Sequence, residues 1–140
     1  MSIQSNTVEG RLAFTADADL TGKEGYLVKL TTGTDGKAEA TLPTDVADPA
    51  IFVILDVPDA SYVAGNKVYV APLNPNQNVR LIAAAAITAG DKVILSGNFG
   101  KVTTATGAGA DTYMVVGYAE EDATAGGYVR VRPCIGSLTV

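Results

Sequence analysis

Short apolar stretches alternate with clusters of Gly, Asp, Asn and Pro along the whole chain, which predicts strands joined by tight turns. Arg11 to Thr15 alternates weakly, and Gly25 to Leu30 reads as a strand. Asp35-Gly36 supplies a hairpin turn, and Lys37 to Leu42 is the return strand. Pro43 to Pro49 is a polar connection with room for one helical turn. Ile51 to Val57 is continuous enough in apolar residues to be buried on both faces. Val68 to Ala71 is a short strand ended by Pro72, and Asn74-Pro75-Asn76-Gln77-Asn78 breaks the chain into halves. The second half repeats this grammar, with strands expected over 78–87, 92–95, 101–104, 113–118 and 128–132, and a short tail from Ser137. Ser2 to Glu9 reads as an arm whose larger apolar residues are Ile3 and Val8.

The two halves resemble each other. Ile51–Pro72 laid over Thr112–Pro133 without a gap aligns Asp59 with Glu120 and Ala64-Gly65 with Ala125-Gly126. Val68, Val70 and Pro72 then fall on Val129, Val131 and Pro133. Leu20-Thr21-Gly22 resembles Ile87-Thr88-Ala89, and Gly36-Lys37 resembles Gly100-Lys101. The shared order of strand, acidic turn, Ala-Gly and Val-x-Val-x-Pro points to a duplication. A unit of this size buries only part of its surface alone, and two copies packed together remove exposed sheet edges. The proline after each Val-x-Val strand lacks an N–H and is expected to end the ladder there. The expected fold is all-β: a compact β-barrel, β-tulip-like or sandwich domain with an internal duplication. It comprises an arm over residues 1–10 and a single domain over 11–140, with repeat-like halves at about 20–73 and 79–135.

Composition removes several kinds of chemistry. The chain has no His and one cysteine, so neither a Ser-His-Asp triad nor a Cys-His pair exists, and zinc lacks its usual ligands. Cys134 reads as a small apolar core residue. No P-loop or calcium-loop string occurs. A net charge of −5 disfavours nucleic acid. The longest apolar run, Leu81 to Ile87, is too short to span a bilayer, and Met1 to Gly10 has no signal-peptide pattern. The acidic groups Asp17/Asp19, Asp56/Asp59 and Glu120–Asp122 read as solvated turns that blunt strand edges. No catalytic, cofactor-binding or metal-ligating residue is assigned. The candidate partner-binding residues are Tyr128, Arg130 and Arg132, which share one face of a strand, together with Ile3 and Val8 of the arm.

Within 87–133 the strings I-T-A-G-D-K-V, G-K-V-T, V-G-Y-A-E-E-D-A-T-A-G and V-R-V-R resemble a family of small phage head proteins that act as capsid decoration, or cement, proteins. The resemblance is direct over about a third of the chain, and the first half shares it only through the repeat. It implies a compact β domain on the outside of an assembled capsid, made in the host cytoplasm and carried on the virion. The implied partners are the major capsid protein and further copies of the chain, as a trimer. The arm would reach neighbouring capsid subunits. The chain departs from this pattern in a longer first half, notably Asp35 to Pro49. Two other readings compete: a carbohydrate- or surface-binding module of a fibre or adhesin, against which the absence of Trp counts, and a small-ligand barrel enzyme or carrier, which would require a hollow interior.

Overall fold

The computed structural model describes residues 12–97, 99–105 and 112–139. The arm, with Ile3 and Val8, lies outside the described residues, as do residues 106–111. The protein is all-β. Among the described residues ten strands follow in order: β1 (Leu12–Ala16), β2 (Leu27–Thr32), β3 (Ala38–Thr41), β4 (Phe52–Ile54), β5 (Lys67–Pro72), β6 (Val79–Ile82), β7 (Lys92–Leu95), β8 (Val102–Thr104), β9 (Thr112–Ala119) and β10 (Tyr128–Thr139). The segment 43–49 forms turns with no helix.

Strands β1 to β5 close into a barrel in the order β1-β3-β2-β4-β5, and strands β6 to β10 form a sheet in the order β6-β10-β9-β7-β8. The two orders are the same wiring. The β6–β10, β10–β9, β9–β7 and β7–β8 neighbours match β1–β5, β5–β4, β4–β2 and β2–β3, all antiparallel. The turns match in detail. Ala16 N donates to Asn66 O and Gly65 N to Ala16 O, as Ala83 N does to Gly127 O and Gly126 N to Ala83 O. Leu20 N donates to Tyr62 O, as Ile87 N does to Ala123 O. Gly65 and Gly126 both have positive φ, which glycine adopts without a Cβ penalty.

The ungapped alignment holds for the second strand of each pair and slips at the first. Leu55 N bonds Tyr69 O and Glu120 N bonds Arg130 O. Tyr69 and Arg130 are 61 residues apart, whereas Leu55 and Glu120 are 65 apart. The loop from β4 to β5 is therefore four residues longer than its counterpart, and Glu120 stands where Leu55 does, not Asp59.

One seam differs between the halves. In the barrel β1 and β3 pair in parallel through Thr15↔Glu39 and Ala16↔Ala40. At the corresponding place a single bridge, Ala83↔Val102, joins the second sheet. The first half enters that opening. Gly25 O accepts the Ile82 amide at 3.2 Å, and Leu27 N donates to Gly100 O at 2.8 Å. Above it Met114 N donates to Val46 O at 2.8 Å, so the long 43–49 segment also ties the halves together.

The wall formed by β2 and β4 serves two cores. Successive strand residues point to opposite faces. Val28 and Ile54 pack inside the barrel with Leu20, Tyr62, Val68 and Val70. Leu27 and Val53 point the other way, into the second core with Leu81, Val93, Val116 and Val129. This explains the run of apolar residues around β4. Its two-sided burial covers only Val53 and Ile54, since Ile51 and Asp56 are exposed. A fully buried Leu or Val contributes roughly 1.5–3 kcal/mol, so the shared wall is a substantial link.

Proline does not end the last strand. Pro133 pairs with Gly117, a register shift follows before Gly136, and β10 continues to Thr139. Odd-numbered residues of this stretch direct their N–H toward the β6 side, and β6 pairs no further than Val131. The missing N–H of Pro133 therefore costs no ladder bond. Among the described residues no strand pairs with β10 on that side beyond Val131, and Cys134 and Ile135 are exposed, so Cys134 is not a core residue.

Candidate interaction surface

The outward face of the second sheet is set by the alternation of β10. Val129 and Val131 are buried, which turns Tyr128, Arg130 and Arg132 to the other side. Cross-strand register completes the surface. Tyr128 stands opposite Ile82, and Arg130 opposite Arg80. Arg132 stands opposite Tyr118, which stands opposite Lys92. Tyr128 and Tyr118 are 47% and 44% exposed, large values for aromatic side chains in a sheet. Arg80, Tyr118 and Lys92 come from three other strands, and only the register shows that they join the β10 residues.

Glu120 organises the centre of this face. It receives Arg132 Nε and Nη2 at 3.3 and 3.2 Å, and its other oxygen lies 3.7 Å from Arg130 Nε. Arg132 Nη1 also reaches Pro75 O at 3.4 Å. Glu121 accepts the Arg130 amide, and Asp122 accepts the Ala89 amide at 2.8 Å. Each of the three consecutive acids thus binds a group of its own half. Exposed ion pairs of this kind contribute roughly 0–1 kcal/mol, so their main effect is to hold the guanidinium groups in place.

Beside this face a cleft of about 370 Å³ runs between the halves. It is lined by the apolar Val53, Leu55 and Val79 and by Glu24, Asp56, Arg80 and Tyr128 among others. Tyr128 and Ile82 also pack against Gly25, where the absence of a Cβ makes room for both.

Asp19 of the acidic turns, and two further polar groups of the first half, Asp48 and Tyr62, lie elsewhere. Asp19 turns back on Thr21, whose hydroxyl and amide hold its carboxyl below the usual range. Asp48 accepts Lys29 Nζ at 2.8 Å and the amides of Thr44 and Asp45, and its pKa is lowered, first by the Lys29 hydrogen bond. Tyr62 is buried and donates to Leu55 O at 2.7 Å, and loss of solvent pushes its hydroxyl pKa up. These groups fix loops of the first half and converge on no common point. Among the described residues no group of three or more acidic or cysteine side chains is placed to hold a metal ion.

No protein-family model matches the chain, and no curated protein matches its sequence. Its fold is similar to a solved structure, the crystal structure of the head fiber gp8.5 N base in bacteriophage phi29. That likeness has a TM-score of 0.60 at 21% sequence identity, and covers 94% of this chain and 98% of the other. Both halves of the fold therefore have counterparts in the N base of a phage head fiber.

Proposed function

We propose that the protein is a non-enzymatic structural component of a phage head, which binds the outer surface of the assembled capsid and stabilises it as a decoration protein. The observation that carries this reading is the similarity to a phage head fiber base over nearly the whole of both chains. The repeated turn and strand motifs that resemble decoration proteins add to it. The face of Tyr128, Arg130 and Arg132 is the docking surface, and Ile3 and Val8 of the arm reach adjacent capsid subunits. The partner is the major capsid protein, and the chain acts as a homo-oligomer, a trimer. Many copies on a symmetric lattice turn modest contacts into stable attachment. The protein is carried on the capsid surface of the virion, and neither nucleic acid nor membrane is a partner.

The test is to add purified protein to capsids that lack it. Saturation at a ratio fixed by lattice symmetry, with capsids made more resistant to heat, is the expected result. Capsids that take up no protein would end the reading. A second reading is a module of a head fibre that contacts carbohydrate or another surface. It is favoured because the similar structure is itself the base of a head fiber. Glycan-array binding with no uptake by capsids would select it.

A further inference from the structure

The opposition of Arg80 and Arg130 across the β6–β10 ladder is unfavourable within the chain itself. The Ile82 amide points away from β10 to Gly25, so the Arg80 amide, two residues along, points the same way. Arg130 directs its own N–H and C=O to the opposite side, toward Glu121 and Glu120. The two arginines therefore form a non-hydrogen-bonded pair, with Cβ atoms about 5 Å apart, where like charges repel most. Glu120 approaches Arg130 only at 3.7 Å and is shared with Arg132. Among the described residues Arg80 has no acidic partner. Lys92 extends the row past Tyr118 and also lacks one. Four of the ten basic residues of an acidic chain thus share one sheet face with two exposed tyrosines.

We propose that this face receives a carboxylate-bearing segment of a protein partner, with a carboxylate seated between Arg80 and Arg130. The inference rests on the reading that the face docks a partner, and it names the chemistry of that partner. A carboxylate between two guanidinium groups accepts charge-assisted hydrogen bonds from both and removes their repulsion. Tyr118 and Tyr128 flank it as anchors of the kind that dominate protein interfaces. A nucleic-acid backbone fits less well. The basic surface is interrupted by Glu120, and the net charge of −5 repels an extended polyanion.

The experiment uses the full chain and poly-L-glutamate as the probe, with duplex DNA as the comparison and binding followed at low and physiological salt. The Arg80→Gln/Arg130→Gln variant is set against Lys37→Gln/Lys67→Gln, which makes the same charge change on the first barrel. Wild type and the barrel variant should bind poly-L-glutamate alike, and the face variant at least about tenfold more weakly. The single variant Arg80→Gln should melt no lower than wild type, since it removes a repulsion, so lost binding cannot be ascribed to lost folding. No binding by wild type, equal loss in both double variants, or tighter binding to DNA would overturn the inference. Capsid uptake is a separate measurement. Uptake without poly-L-glutamate binding removes this inference and leaves the proposed function standing, and the reverse result removes the function alone.

Discussion

Gly25 O accepts the amide of Ile82 at 3.2 Å, and this bond continues the second sheet with a piece of the first half. A Cβ on Gly25 would lie 2.9 Å from Cε1 of Tyr128 and 3.2 Å from Cγ1 of Ile82, at a φ of +82°. The Gly25→Ala variant therefore combines left-handed strain with a clash at the seam. A loss of about 2 kcal/mol is expected in chemical denaturation. Tyr128 must also shift, so a change in tyrosine fluorescence in the native baseline should accompany it.

Gly117 marks the bulge in the β9–β10 ribbon. A Cβ there would run into the carbonyl oxygen and carbon of Arg132, which are backbone atoms and have no rotamer to escape to. Gly117→Ala should cost about 3 kcal/mol or more, or prevent folding in cells. Gly97→Ala, where a Cβ meets nothing within 4 Å, is the matched control and should stay near wild type.

Asp48 gives the stability a defined acid dependence. Its folded pKa lies below the ordinary value of 3.8, so the native state favours the charged form. Its contribution is complete above the unfolded pKa and fades as pH falls through the folded one. Asp48→Asn should lose about 1–2 kcal/mol at neutral pH, through the Lys29 contact and the Thr44 and Asp45 amides. The gap between variant and wild type should narrow below about pH 4, measured by urea denaturation across the acid range.

Cys134 is exposed on β10, past the last residue that pairs with β6. Native protein should therefore be alkylated by a maleimide without denaturant, with one label per chain. Labelling that requires denaturant would contradict that exposure.

Much of the strand and turn pattern was legible because it is local. Asp35-Gly36 does turn β2 into β3, with Gly36 at positive φ, and Val-x-Val alternation does put Val68, Val70, Val129 and Val131 inside. What depends on distant neighbours was not legible. Pro133 reads as a stop until one knows that β6 has already ended beside it. Cys134 reads as core for the same reason. The alternation of β10 placed Tyr128, Arg130 and Arg132 together, but Arg80, Tyr118 and Lys92 join them only through register. No property of their own flanking residues signals that meeting. The four-residue slip between the repeats was hidden because the ungapped offset lays apolar on apolar, as Ile54 on Val115, whereas the structural one lays Phe52 on Gly117 and Leu55 on Glu120.

The wall of β2 and β4 has a consequence for any attempt to recombine the halves. A first half produced alone would present Leu27 and Val53 to water, and a second half produced alone would keep a slot with nothing to fill it. Chimeras with other barrels should yield well-behaved protein only where the plug and its slot are transplanted as a matched set. The turn at 74–78 is thus not a place to cut the molecule into modules.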